Sequence, residues 1–237
     1  MALPKLNTPK YKLKLPSDGS TVNFRPFLVK EEKLLLLATE TGETDQIITA
    51  IKDIISACSD VKNVDKLSTF DIEYLFLQIR TKSVGESVDV TVTCQDDGET
   101  EVKASIPLDE IKVIKDRKHK KAIQISDDVI VTMGYPSLDT FVKMNFVDSD
   151  GPGVDQIFEM AAGCVESIAD ENQVYDCSDM PKKEILEWFE ELNSKQFGMI
   201  QEFFETMPKL SHTLTITNPN TGKENTIVLE GLASFFA

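Results

Sequence analysis

The side chains that could bind a metal or act in catalysis are few in this chain and lie far apart. They are two histidines and four cysteines: His119, His212, Cys58, Cys94, Cys164 and Cys177. Structural zinc sites use cysteines and histidines in pairs only a few residues apart. No two of these residues have that spacing. We therefore expect free thiols, ordinary surface histidines and no metal site.

Clustered carboxylates are the second candidate for chemistry. One cluster falls largely on the polar face of a predicted helix, where charges meet solvent: Glu184, Glu187, Glu190 and Glu191. The other, Asp96, Asp97 and Glu99, lacks the length, spacing and terminal glutamate of a calcium loop. The chain has no phosphate-binding glycine motif and no nucleophile elbow. We therefore predict a protein that is not an enzyme, with no catalytic residue and no cofactor.

A basic run over residues 112–121 has six lysines and arginines and could contact nucleic acid. It contains no aromatic residue on which bases could stack, which favours a solvated loop or a contact for an acidic protein. The net charge is −15, and residues 122–237 carry 20 acidic and only 6 basic residues. Such acidity repels phosphate backbones, which argues against general nucleic-acid binding. Because of the basic run, a nucleic-acid-binding module is kept as the alternative function.

Hydrophobic periodicity predicts the elements that position these residues. Residues 11–25 predict a β-hairpin with Asp18-Gly19 in its turn, and residues 28–39, rich in leucine, predict a buried helix. Further helices are expected at 44–58 and 68–80, the second with a capping-box-like start at Ser68. Later elements are a hairpin at 88–106, two short strands within 124–133, helices at 137–146, 153–168, 182–193 and 195–207, and a last hairpin at 213–229.

These elements predict an α+β fold with three or more β-hairpins. We divide it into an N-terminal α+β region, residues 1–121, and an acidic, mainly helical region, residues 122–237. Residues 68–111 and 183–236 both run from helix into hairpin, as either a weak internal repeat of ribbon-like units or a coincidence of turn chemistry. No apolar stretch reaches the roughly 18 residues of a membrane span. The first ten residues lack the apolar block of a signal peptide, so we expect the chain to stay in the cytosol.

The final segment is unusually apolar for a chain terminus. Leu232, Phe235 and Phe236 follow the last predicted strand. Exposing two phenylalanines would forgo about 1.5–3 kcal/mol each, so these side chains should be buried. Docking onto a partner and packing against the chain's own helices both remain open, and we predict the three residues as a partner-binding element.

Three stretches resemble a known family: residues 3–9, Phe24-Arg-Pro-Phe-Leu-Val-Lys-Glu-Glu-Lys33 and residues 70–85. They are similar to the baseplate hub assembly proteins of T-even-like contractile-tailed bacteriophages. The resemblance implies a non-enzymatic virion or assembly protein that binds other baseplate and tail hub proteins. It also implies assembly in the host cytoplasm and a place in the tail baseplate, without membrane or nucleic acid; homo-oligomerisation stays open.

The same resemblance bears on two hairpin turns. Many relatives have a Cys-x-x-Cys knuckle where this chain has Cys94-Gln-Asp-Asp97, and the second sulfur ligand is missing here. It is missing again at Asn218-Pro-Asn-Thr221. A four-ligand zinc site cannot be assembled from these residues, so backbone hydrogen bonds and glycine are expected to hold the turns.

Overall fold

The computed structural model describes residues 7–41, 43–138, 140, 154–231 and 234, which form two compact units. Unit 1 combines the residues up to Ile114 with those from Lys209 onward, and unit 2 is Lys115–Pro208. The fold is α+β, as predicted, with six α-helices and eleven strands in small antiparallel sheets among the described residues.

Unit 1 begins with a hairpin and three helices. Strands β1 (Tyr11–Lys14) and β2 (Thr21–Phe24) pair, and helices α1 (Val29–Thr41), α2 (Thr44–Cys58) and α3 (Thr69–Val84) follow, with a short 3-10 helix at Val64–Lys66. The backbone N–H of Arg25 donates to Cys58 O at 2.8 Å, and the N–H of Asp60 donates to Asn23 O at 3.1 Å. These bonds attach the end of β2 to the end of α2 and the residues just after it.

Two further hairpins complete unit 1. Strands β3 (Ser87–Thr93) and β4 (Glu101–Pro107) pair over seven residues each. Strands β10 (Lys209–Thr217) and β11 (Glu224–Glu230) pair likewise, and β5 (Lys112–Ile114) lies on the other side of β10. In this register Ile114 is opposite Lys209. Unit 2 is therefore an insertion in the chain between two paired strands of unit 1.

The core of unit 1 is formed mainly by α2 and α3. Their fully buried side chains include Ile54, Ile55, Leu75, Phe76 and Ile79. The apolar face of α2 follows the predicted helical spacing. Helix α3 is buried on most sides, because ten of its sixteen residues are inaccessible to solvent. This helix is therefore the centre of the unit.

The elements with described bounds in unit 2 include three helices and one sheet. The four-stranded sheet has the order β6 (Ala122–Gln124), β7 (Ile130–Met133), β8 (Val165–Ala169) and β9 (Val174–Asp176). The helices are α4 (Val154–Gly163), α5 (Lys182–Glu190) and α6 (Ser194–Thr206). Val131, Met133, Phe189, Ile200 and Phe203 are among the residues of their shared core.

Two predictions about these elements are wrong. The segment 153–168 is not one helix: α4 ends at Gly163, and Val165 begins β8, whose pairing with β7 outweighs the helical spacing. The predicted helix at 28–39 is not buried either, since Leu28, Leu36 and Leu37 are 44%, 58% and 51% exposed. The predicted helix at 137–146 lies largely outside the described residues. The division at residue 121 into two folding regions stays a prediction.

Candidate functional site

The three hairpins of unit 1 use the same turn. Each turn runs over five residues and ends on a glycine: Leu15 to Gly19, Cys94 to Gly98 and Asn218 to Gly222. In all three the glycine N–H donates to the first residue's carbonyl at 2.9 Å, and the glycine φ lies between 70° and 74°. Only glycine adopts this conformation without strain. The expectation that backbone bonds and glycine hold the turns is confirmed.

The second and third turns meet face to face. The Asn218 side-chain amide donates to Asp96 Oδ1 and to Asp97 Oδ2, both at 2.8 Å. Asn225 donates to Asp96 Oδ1 at 3.0 Å, and its Oδ1 accepts from the Asp96 N–H at 3.0 Å. Thr221 Oγ1 donates to Asp96 Oδ2 at 2.5 Å. We call these five residues the paired-turn cluster; hydrogen bonds join its two turns.

The electrostatics of the paired-turn cluster favour the charged carboxylates. Hydrogen bonds from Thr221, Asn218 and Asn225 lower the pKa of Asp96. Bonds from Thr100, Asn218 and the neighbouring backbone lower the pKa of Asp97 strongly. Both carboxylates are therefore ionised at neutral pH, and the amide and hydroxyl donors stabilise their negative charge.

The paired-turn cluster has the outline of a metal knuckle but not its ligands. Cys94 is fully buried, and burial together with Asp96 and Asp97 raises the pKa of its thiol. Within the described part of the chain, no three His, Cys, Asp or Glu side chains are grouped so that they could hold a metal ion. The four cysteines are buried free thiols. The cluster is therefore a polar fastening between two hairpins.

The first turn is fastened differently, to helix α3. Asp71 accepts from the Ser17 N–H at 3.0 Å and from Ser68 Oγ at 2.8 Å. Ser68 is the N-cap residue of α3, but its side chain makes no capping bond, so the predicted capping box is wrong. Its hydroxyl instead orients the buried Asp71 carboxylate toward the turn.

Helix α1 presents exposed apolar side chains on the surface of unit 1. Its buried residues are Glu31 and Ala38 alone, whereas Leu34, Leu36 and Leu37 are 38%, 58% and 51% exposed. A helix turns by roughly 100° per residue, so leucines at four successive positions cannot all face one core. The run Leu34–Leu37 therefore had to expose part of itself, a signal that the sequence prediction missed.

An ion pair fixes where α1 begins. Arg25 Nη2 donates to Glu31 Oε1 at 2.9 Å and to the Ala57 carbonyl at 3.0 Å, near the end of α2. Glu31 Oε2 accepts from the Leu28 N–H at 2.8 Å at the start of α1. Burial raises the pKa of Glu31, but the bonds from Arg25 and Leu28 outweigh it and the net pKa is lowered. A charged Glu31 thus ties α1 to α2.

A groove of about 710 Å³ lies between α1 and α2. Its apolar wall includes Leu34, Leu37, Ala38 and Ala50, and its acidic lining is formed by Glu40, Asp45 and Asp53. The two alanines are buried and the two leucines are exposed. Among the described residues, none of the three carboxylates takes part in an ion pair.

The basic run is distributed over both units, and two of its residues make specific contacts in unit 2. Lys121 lies 3.1 Å from Glu166 and 5.1 Å from the Tyr135 ring centroid. His119 is not an ordinary surface histidine, because its ring is half-buried and forms a three-ring cluster with Tyr135 and Phe203, whose rings also contact each other. These contacts reduce the charge that the run offers to a phosphate backbone.

The hydrogen-bond partners of His119 favour one tautomer of its neutral ring. Thr206 Oγ1 donates to the Glu202 carbonyl at 2.7 Å, so it accepts from His119 Nδ1–H at 3.0 Å. Nε2 then accepts from the Tyr135 hydroxyl at 3.1 Å. Burial lowers the pKa of His119, Asp116 opposes this, and Lys121 and Lys115 add to it. Neutral His119 is therefore the form that the fold favours.

The other predicted residues have clear outcomes. Glu184, Glu187, Glu190 and Glu191 are exposed on or next to α5, as expected for a polar helix face. Leu232, Phe235 and Phe236 lie outside the described residues, so their partner-binding role stays a prediction. No helix in the described ranges has the length and apolar character needed to cross a bilayer.

The geometry thus defines an α+β protein with hydrogen-bonded hairpins and an exposed apolar helix. Comparison with protein families gives its class: residues 8–237 match the family described as T4 bacteriophage base plate protein. The chain belongs to this family of T4-like phage baseplate proteins, which suggests a structural, non-enzymatic component of the virion tail that contacts other tail proteins. No curated protein and no solved structure gives a significant match.

Proposed function

We propose that this chain is a structural or assembly protein of the baseplate hub and that it acts by binding other hub proteins. Membership of the baseplate family supports a role in the tail. The observation that carries the binding mechanism is the exposure of Leu34 and Leu37 on the groove side of α1. In this proposal the protein acts by binding alone and catalyses no reaction.

The exposed leucines Leu34 and Leu37 of α1, which line the groove between α1 and α2, are the physical reason. They are 38% and 51% exposed. Covering such a side chain gains about 25 cal/mol for each Å² of apolar surface removed from water. A neighbouring subunit can supply that cover. The Arg25–Glu31 ion pair and the bond from Arg25 to the Ala57 carbonyl hold the start of α1 against α2.

The terminal residues Leu232, Phe235 and Phe236 form the second part of the proposal. They follow β11 directly in sequence, and β11 is paired with β10 up to Glu230. Aromatic side chains concentrate binding energy at protein interfaces. We therefore assign them to partner docking, while packing within this chain is the competing outcome.

Co-purification tests the function. The tagged chain is expressed in the host with the other hub proteins of the same phage, and we expect a discrete complex on size-exclusion chromatography. Mass spectrometry of purified virions from a tag-free phage then shows whether the chain remains in the particle. A chain that captures no hub protein and leaves baseplate assembly intact when deleted would disprove the proposed function.

The terminal residues are tested separately with a Phe235→Ser/Phe236→Ser variant. Docking predicts that the variant unfolds at the wild-type temperature but captures less of the hub complex. Packing within the chain predicts a lower unfolding temperature instead. A variant that stays folded and captures every partner would remove these residues from the interface.

A further inference from the structure

The groove between α1 and α2 has a chemical character that restricts what can bind there. One part is apolar, with Leu34 and Leu37 exposed beside the buried Ala38 and Ala50. Small residues let the backbone of a neighbouring helix approach closely. Leu34 and Leu37 are three positions apart on α1, so both lie on one face of the helix. This surface suits the apolar stripe of an added helix.

The polar part of the groove has one sign of charge. Glu40, Asp45 and Asp53 line it, and no lysine or arginine does. The three residues are exposed and, within the described residues, have no ion-pair partner. Complementary charge steers association and penalises partners of the same sign. An occupant with basic side chains beside its apolar stripe is therefore favoured.

We infer that this groove receives an amphipathic helix of another baseplate protein, with lysines or arginines flanking its apolar stripe. A helix that docks in a groove places apolar side chains at helical spacing against it. The two alanines and two leucines that line this groove form an apolar surface for those side chains. The inference rests on the proposed function, because it names the partner chemistry of the same α1 surface.

Two other candidate occupants, the segment 232–237 of this chain and a second copy of the protein, fit the groove less well. The segment 232–237 is apolar but has no basic residue to meet the three carboxylates. A second copy would bring a further net charge of −15 to the contact. Like charge opposes such self-association.

Fluorescence anisotropy of a labelled peptide measures binding to the groove directly. The probe is a fluorescent 14-residue leucine/lysine peptide with an amphipathic helical repeat, and the matched probe has glutamate in place of lysine. We expect the lysine probe to bind at least about tenfold more tightly. Leu37→Ser should weaken its binding by about tenfold. Leu36→Ser is the matched control because Leu36 is exposed on α1 but does not line the groove, and it should change the affinity by less than about twofold.

Charge variants separate the groove from the general acidity of the protein. Asp45→Asn/Asp53→Asn should weaken the lysine probe by about threefold to tenfold. The control Asp127→Asn/Asp128→Asn removes the same charge from exposed residues of unit 2. Equal losses in the two double variants, or in Leu36→Ser and Leu37→Ser, would overturn the inference. Dimerisation of the wild type that Leu37→Ser abolishes would assign the groove to a second copy and overturn it too.

Capture of the co-expressed hub proteins distinguishes failure of the groove from failure of the function. Loss of capture in Leu37→Ser, with retention in Leu36→Ser, supports the inference. Retention in both variants overturns it while the proposed function stands. If the wild type captures no hub protein, the proposed function is disproved. The inference that the groove binds a helix of a baseplate protein is then disproved as well, even if the lysine peptide binds the groove.

Discussion

The Asn218 side-chain amide lies 2.8 Å from Asp97 Oδ2, although the two residues are 121 positions apart in the chain. Asn218 is fully buried, and its Oδ1 also accepts from the N–H groups of Asn220 and Thr221. One asparagine therefore shapes its own turn and fastens it to the turn of another hairpin. Two sulfur ligands of a zinc knuckle would have a comparable effect through a metal.

Asn218→Ala should destabilise unit 1. The change removes the bonds to both aspartates and leaves the Asn220 and Thr221 amides without their acceptor, at a cost of about 1–3 kcal/mol in free energy of unfolding. Urea unfolding measures the difference. Asn220→Ala is the control, because Asn220 makes one exposed side-chain bond, to Thr100, and should change stability by about 0.5 kcal/mol or less. Equal effects would show that Asn218 is not the fastening residue.

Restoring sulfur ligands should convert the paired turns into a zinc site. The positions are one and four of each turn, so Asp97→Cys/Asn218→Cys/Thr221→Cys would join Cys94 in a four-cysteine set. We expect one zinc ion per chain by metal analysis and a higher unfolding temperature that chelation reverses. The wild-type chain, purified without added metal, should contain no stoichiometric zinc. A zinc-free triple variant that still folds would mean that the turns do not converge tetrahedrally.

Stability should depend on His119 at mildly acidic pH. Burial lowers the pKa of folded His119, so the unfolded chain takes up a proton more readily and stability rises with pH. The stability that neutral His119 contributes is fully present above about pH 6.5, the pKa of an unfolded histidine. It is lost as the pH falls through the pKa of His119 in the folded protein. The unfolding temperature should therefore fall between pH 7.5 and 5.5, and fall less in His119→Gln. His212→Gln is the control and should follow the wild type; an identical pH profile for His119→Gln would contradict the prediction.

Phe76→Ala should be among the most damaging substitutions in unit 1. Phe76 is 2% exposed on α3, and Phe24, Phe27 and Ile72 are buried as well. Loss of a fully buried phenylalanine costs about 3–5 kcal/mol. Leu36→Ala on α1 provides a surface comparison, for which we expect about 0.5 kcal/mol or less. An unchanged unfolding midpoint for Phe76→Ala would place this side chain outside the core.

The cysteines should be unreactive until the chain unfolds. Burial raises the pKa of Cys58 to about 11 and that of Cys164 to about 12. Thiolates are the reactive species, so a disulfide reagent at pH 8 should modify less than about one thiol per folded chain. Four thiols should react in guanidinium chloride. A rapidly modified thiol in the folded protein would contradict the buried positions.

The sequence by itself determined the local structure. Glycine at the fifth position of each turn and alternating apolar residues beside it specified the hairpins, because these signals act over a few residues. The helical spacing of Ile47 to Cys58 likewise specified α2. The absence of short cysteine pairs argued against zinc before any contact was known.

Tertiary structure alone decided which surfaces are covered. Periodicity could not tell that the leucines of α1 face solvent, since their exposure depends on which elements pack against that helix. The packing of His119 against Tyr135 and Phe203 and the hydrogen bond between Asp96 and Asn218 likewise join residues far apart in sequence. Long-range packing leaves no short pattern in a single sequence. Only the folded chain therefore determines which apolar side chains of this baseplate protein remain exposed to solvent.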